Sequence, residues 1–132
     1  MSKHRKPHKP TIKRLRKQLW SLVSHYIRRR DKNICFTCGI RTEPGMAGHF
    51  IPSAVGGALL RYHELNIHCQ CFRCNINLSG NWPVYLEKMK RIYGEKVVNE
   101  LLSMRYKTIK ADILWYLEKI SHYENDLLSY QG

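Results

Sequence analysis

The stretch Gln70-Cys71-Phe72-Arg73-Cys74-Asn75, read together with Cys35-Phe36-Thr37-Cys38, decides how this chain must fold. Each Cys-x-x-Cys lets two sulfurs of one turn reach a single ion, and zinc prefers four tetrahedral ligands. Two matching pairs, with Cys38 and Cys71 33 positions apart, form a strong zinc signature. Four thiolates leave no open position on the ion, so Cys35, Cys38, Cys71 and Cys74 are expected to be structural. Cys69 is the odd thiol; its spacing to Cys71 suits a shared ligand turn poorly, and it is expected to pack in the interior.

Outward from the cysteines, residues 34–80 are rich in Gly and Cys and lack helical periodicity. Short strands and loops are expected there, with an extended stretch over Ala47–Ile51 and a turn at Gly56-Gly57. A short helix beginning near Cys71 would carry Cys74 and Asn75 on its first turns. Pro83 suits a first helical position and Gly94 a helix stop, which predicts a helix to Tyr93 and a shorter one over 95–103. On the N-terminal side Ile12, Leu15, Leu19, Leu22 and Tyr26 recur at helical spacing, with Thr11 as cap and Asp31-Lys32-Asn33 as exit. Ile109, Ile113, Tyr116, Ile120, Tyr123 and Leu127 form a heptad-like stripe at the C-terminal end. That stripe predicts either packing against the first helix or a dimer seam. The expected class is α+β: a basic arm at 1–10, then one domain at 11–132. Its zinc-stabilised core spans about 34–82, between helical flanks at 11–31 and 83–130.

A chain of 132 residues is expected to form one domain with a modest core. Apparent zinc affinities of ~10–16 kcal/mol are comparable to the whole stability of such a domain. No apolar run approaches the ~20 residues of a membrane span, and Met1-Ser2-Lys3-His4-Arg5-Lys6 leads into no apolar stretch, so neither a span nor a secretory signal is expected. Cysteines at metal spacing favour free thiols or zinc over disulfides, and with them a cytosolic compartment. The net charge of +13 is uneven. Eleven of the 23 Lys and Arg fall in residues 1–30, which hold no Asp or Glu; the other twelve face all ten acidic residues. Such a block suits a polyanion through phosphate neutralisation and counterion release, although a solubilising tail or an acidic lipid or protein contact would use the same charges.

Ala47-Gly48-His49-Phe50-Ile51-Pro52, Leu65-Asn66-Ile67 and Cys71-x-x-Cys74-Asn75 together resemble the HNH nucleases of the His-Me finger group. Members place two strands and a helix around one catalytic metal. Phosphodiester hydrolysis needs these residue types: a neutral imidazole can take a proton from water near pH 7, and an amide oxygen is a hard ligand suited to Mg²⁺. The resemblance implies that His49 is the general base and also a possible metal ligand. It implies that Asn75 binds Mg²⁺ or Mn²⁺ and that Asn66 fixes the loop carrying His49. Many HNH enzymes hold an acidic residue or histidine just before the base as a second metal ligand; this chain has Gly48 there.

A more extensive resemblance runs along almost the whole chain. Tyr26-Ile27-Arg28 with Arg30-Asp31, Cys35-x-x-Cys38-Gly39, Ala47-Gly48-His49-Phe50, Leu60-Arg61-Tyr62, Asn66-Ile67-His68, Gln70-Cys71-x-x-Cys74-Asn75 and Leu78-Ser79-Gly80-Asn81 are similar to the phage NinG, or Rap, recombination endonucleases. The Ala-Gly-His run is at home in that family. Family resemblance implies a structure-specific endonuclease of phage recombination, acting on branched double-stranded DNA such as Holliday junctions and displacement loops in the bacterial host cytoplasm. Candidate DNA contacts are Lys13, Arg14, Arg16, Lys17, Arg28 and Arg29 on the first helix, with Arg61 and His68 nearer the base. Arg61 could equally be a solvated loop residue and His68 a structural hydrogen bonder. His63 and His122 read as ordinary surface or packing residues, and Trp20, Trp82 and Trp115 as core or interface. Two other functions share these features: a zinc-stabilised DNA-binding adaptor without catalysis, and a sequence-specific HNH restriction or homing enzyme.

Overall fold

The computed structural model describes residues 9–131, so residues 1–8 of the expected basic arm lie outside the described residues. Thr11 caps α1 (Ile12–Arg30) by accepting the Arg14 N–H at 3.3 Å. Lys32 and Asn33, with φ of 55° and 54°, turn the chain out of the helix. The buried face of α1 is Leu15, Leu19, Val23 and Ile27; Leu22 and Tyr26, expected on the seam, are only partly buried. Steps of four residues rotate about 40° each around a 3.6-residue helix, so the buried face wraps as it climbs. That lets α1 touch both the C-terminal helix and the strands.

Strand β1 (Met46–His49) pairs antiparallel with β2 (Ile67–Gln70), placing Gly48 opposite His68 and Met46 opposite Gln70. Between them α2 (Ser53–Arg61) bends at Gly57, whose φ of 64° and ψ of −166° only glycine adopts freely. The expected turn at Gly56-Gly57 is thus a kink inside a short helix. After β2 the expected short helix forms as a single wide π-helical turn over Arg73–Asn77, and it carries Cys74 and Asn75. Helix α3 (Trp82–Tyr93) and helix α4 (Glu95–Ser103) join at Gly94, φ 89°.

The C-terminal flank is divided in two. Helices α3 and α4 contribute Tyr85, Met89, Val98 and Leu101 to one cluster with Phe50, Ile51 and Leu60. Helix α5 (Ile113–Gln131) contributes Tyr116, Ile120 and Tyr123 to a second cluster on α1. The pairs Arg16–Tyr116, Gln18–Glu124, Tyr26–Tyr123 and Arg29–Asp126 hold α5 against α1. The centre of the heptad-like stripe is therefore spent inside the chain. The class is a helix-dominant α+β fold around a two-stranded sheet. Among the described residues no helix is long and apolar enough to cross a membrane.

Candidate functional site

The four sulfurs of Cys35, Cys38, Cys71 and Cys74 all lie within 4.8 Å of one another. Cys38 and Cys71 Sγ are 3.7 Å apart; a tetrahedron with zinc–sulfur bonds of about 2.3 Å has edges of about 3.8 Å. Both pairs use the same turn. The Cys38 N–H points at Cys35 Sγ at 3.5 Å, and the Cys74 N–H at Cys71 Sγ at 3.4 Å. Gly39, at φ 81°, closes the first turn through its N–H to the Cys35 carbonyl at 2.8 Å. Asn81 adds a side-chain N–H to Cys74 Sγ at 3.7 Å. Burial works upward on the Cys35 thiol, but bonds from Thr37 and Cys38 outweigh it and bring it down to about 6. The group can hold a zinc ion as a closed structural site. Cys69 stays outside it, buried, its thiol pushed up to about 11 chiefly by burial.

His49 ends β1 half-buried, with its ring stacked on Trp20 at 5.0 Å and 17°. Its Nε2 lies 2.9 Å from the Arg61 carbonyl. A carbonyl only accepts, so Nε2 carries the hydrogen and Nδ1 keeps its lone pair. Burial holds the imidazole below its ordinary value of 6.5, against the Arg61 carbonyl bond and with help from the Arg61 charge. A neutral ring with Nδ1 free is the form a general base requires. Trp20, which the sequence marks only as a core residue, sets the plane of that ring.

Asn66 is wholly buried, and its side chain bonds the backbone of Ile51, two residues after His49, and of Leu60. Oδ1 accepts the Ile51 N–H at 2.8 Å, while Nδ2 donates to the Ile51 carbonyl at 3.0 Å and the Leu60 carbonyl at 2.9 Å. The neighbouring carbonyl of Arg61 is the one that orients His49. Asn66 is therefore a positioning residue that ties Ile51, in the β1–α2 connection, to Leu60 in the last turn of α2.

Asn75 is held by its backbone N–H on the Cys71 carbonyl at 3.0 Å and by Nδ2 against Met46 Sδ at 3.6 Å. A Cβ added to Gly48 would lie 3.0 Å from Asn75 Oδ1 and 1.9 Å from Gln70 Oε1. Asn75 thus packs against the residue preceding His49, and position 48 has no room for any side chain.

His68 does not reach a surface where phosphate could bind. It is 1% exposed, with Nδ1 3.0 Å from Tyr85 Oη, Nε2 2.8 Å from Tyr93 Oη, and its ring stacked on Phe36. Burial first, then the Arg30 charge, pulls it down to about 4. Its role is the structural one: Tyr85 in turn donates to the Gly48 carbonyl at 2.7 Å.

The candidate DNA contacts separate by what already holds them. Lys13, Arg14 and Lys17 are exposed on α1. Arg28 donates to the Ser24 carbonyl at 3.2 Å and Arg29 pairs with Asp126. Arg16 and Arg61 line a groove of about 410 Å³ with Arg105 and Lys107. No motif in the sequence marks Arg105 and Lys107, because they sit in the connector before α5, remote in sequence from Arg61. A run free of acidic residues from Arg105 to Lys110 is the one available signal.

Residues 1–130 match the family model described as bacteriophage lambda NinG protein. The chain is 40% identical over 90 residues to protein ninG of Escherichia phage lambda, covering 66% of this chain and 43% of that one. It is 37% identical over 89 residues to protein ninG of Escherichia phage 933W, and again 37% identical over 89 residues to that of Salmonella phage P22. In each case the match covers 66% of this chain and under half the length of the relative. No solved structure matches it.

Proposed function

The chain belongs to the NinG family, and on that premise we propose that it is a metal-dependent DNA endonuclease that hydrolyses phosphodiesters in branched double-stranded DNA. The observation that carries the reading is His49: a neutral imidazole with Nε2 fixed on a carbonyl and Nδ1 keeping its lone pair, in a strand whose preceding residue, Gly48, lies against the Asn75 side-chain oxygen. Nδ1 takes the proton of the attacking water. The Arg61 carbonyl then stabilises the imidazolium through the Nε2–H bond, and Trp20 keeps the ring from turning. Because Nε2 is committed, Nδ1 cannot be both base and metal ligand, so His49 acts as base alone. Asn75 Oδ1 would hold Mg²⁺ or Mn²⁺, for which a hard neutral oxygen is suited. When bound, such an ion supplies charge neutralisation at the phosphate and at the leaving 3′ oxygen.

The groove basic residues Arg16, Arg61, Arg105 and Lys107 hold the phosphate backbone next to the base, and Lys13, Arg14 and Lys17 extend the track along α1. Preference for Holliday junctions and displacement loops comes to this chain from its resemblance to recombination nucleases. A second copy is part of the proposal, since a two-fold junction suits two sites. With the inner stripe of α5 packed on α1, the outer residues Leu114, Leu117 and Leu128 remain exposed for that contact.

The test is cleavage of four-way, flap and linear DNA with Mg²⁺ by the parent protein and by His49→Ala. Nicking of branched substrates that disappears in the variant, with DNA binding retained, supports the reading. An adaptor would shift the junction without nicking it, and a sequence-specific enzyme would cut linear duplex at fixed sites.

A further inference from the structure

Among the described residues one buried side-chain N or O atom has no hydrogen-bond partner: Oε1 of Gln70. Gln70 is 0% exposed, and its amide orientation is set by Nε2, which donates to the Gly80 carbonyl at 2.9 Å and to Thr37 Oγ1 at 3.1 Å. Flipping the amide would press Oε1 against the Gly80 carbonyl, so the oxygen is held toward Gly48. Met46 pairs with Gln70 and Gly48 with His68, which makes Gln70 the diagonal cross-strand neighbour of Gly48 on one face of the sheet. The missing side chain at position 48 leaves the gap that Oε1 enters.

Asn75 Oδ1 converges on the same gap. The two oxygens lie 1.9 and 3.0 Å from one point, the Cβ position of Gly48, and are separated by no more than the sum, about 4.9 Å. Asn75 Nδ2 is turned away toward Met46 Sδ. Two acceptors therefore meet with no described protein donor bonded to Gln70 Oε1, and a buried oxygen left so requires a positive or donating partner. In an octahedral shell with bonds of about 2.1 Å, ligand oxygens stand about 3 Å apart when adjacent and about 4.2 Å when opposite. Both spacings fall inside the bound.

We propose that Gln70 Oε1 is the second protein ligand of a hard divalent cation held with Asn75 Oδ1, and that position 48 is glycine to make room for it. The proposal rests on the cation site assigned above and deepens it. A generic HNH site would take this ligand from the residue before the base; here the ligand reaches the same place from the partner strand. Two neutral amides bind weakly by themselves and leave the remaining positions for water and phosphate oxygens, so the site fills fully only with DNA present.

The test uses the full zinc-loaded chain without DNA, with Mn²⁺ as probe and free Mn²⁺ read by electron paramagnetic resonance. The parent protein is expected to bind one Mn²⁺ that Mg²⁺ displaces. Gln70→Glu, which adds a charge at the ligand atom, is expected to tighten Mn²⁺ at least tenfold, and Gln70→Met to weaken it at least fivefold. Should either variant fail to fold, Mg²⁺ titration of the parent gives the same decision: the Gln70 side-chain NH₂ resonances shift with saturation if Oε1 ligates. Unmoved Gln70 resonances, or equal Mn²⁺ affinity in folded Gln70→Glu, overturn the proposal. If Asn75→Ala still abolishes Mn²⁺ binding in that case, the nuclease reading stands and the second oxygen is only packed against Gly48. A parent protein that neither binds Mn²⁺ nor nicks branched DNA removes both.

Discussion

The cysteine cluster and the cation site proposed at Gly48 draw on the same short run of residues, and they are opposite kinds of site. Cys71 and Cys74 join Cys35 and Cys38 in a closed set of soft ligands whose spacing is local to two turns. Gln70 and Asn75, flanking those cysteines, offer hard neutral oxygens to a gap that exists only because β1 pairs with β2. Softness and closure suit a permanent zinc; hardness and open positions suit an ion shared with phosphate. The cysteine cluster fixes the turn that carries Asn75, on which the proposed cation site depends.

The largest expected effect breaks the first half of that comparison. Stripping zinc, or Cys71→Ser, should unfold the 35–80 region, since structural zinc sites contribute on the order of 10 kcal/mol. Thermal melts with and without chelator check this, and an unchanged melt would show that the cysteines are not a clip. His49→Ala comes next, lowering cleavage by about 10²–10⁴-fold with junction binding retained. The pH profile of any cleavage by the parent protein sharpens the same point. His49 must be neutral to accept a proton and is held below 6.5 by burial, so kcat/KM should be flat above pH 6.5 and fall only as acid titrates it.

His68 tests the contrast between a free and a committed imidazole. Its folded value of about 4 against 6.5 unfolded means the unfolded chain binds the extra proton. Its contribution, about 3 kcal/mol, is therefore complete above pH 6.5 and lost as pH falls toward 4. Ring resonances that titrate near 6.5 would contradict the buried placement. Asn66→Ala removes three hydrogen bonds and strands the Ile51 N–H, costing about 2–3 kcal/mol by urea melts. Cleavage should drop more than zinc content. The smallest effect is electrostatic: replacing Arg105 and Lys107 by Ala should weaken DNA binding and flatten the log–log salt slope by about one for each phosphate no longer neutralised. An unchanged slope would take the groove out of the interface.

Legibility in the sequence follows locality. Thr11, the 3.6-residue pattern of α1 and the stop at Gly94 are consequences of a few adjacent residues, and the structure keeps them. The shift from Leu22 and Tyr26 to Val23 and Ile27 was not legible, because which face is buried depends on how α1 meets both α5 and the hairpin. The same holds for the divided C-terminal flank, where a connector at 104–112 with no marked periodicity carries the chain from one cluster to the other. Trp20 reads as a core residue until the fold lays it on His49. His68 reads as a polar group near a metal site until two tyrosines from α3 close over it.

By itself the sequence determined the candidate zinc ligands, which spacing and residue chemistry single out, and its resemblance to the HNH nucleases singled out His49 as the proposed proton acceptor and Asn75 as the proposed metal ligand. Only the tertiary structure decided which nitrogen of His49 is free, what fills the space at Gly48, and which basic residues share a groove. Each of these depends on atoms brought together across strand pairing or helix packing, and no run of adjacent residues carries that information.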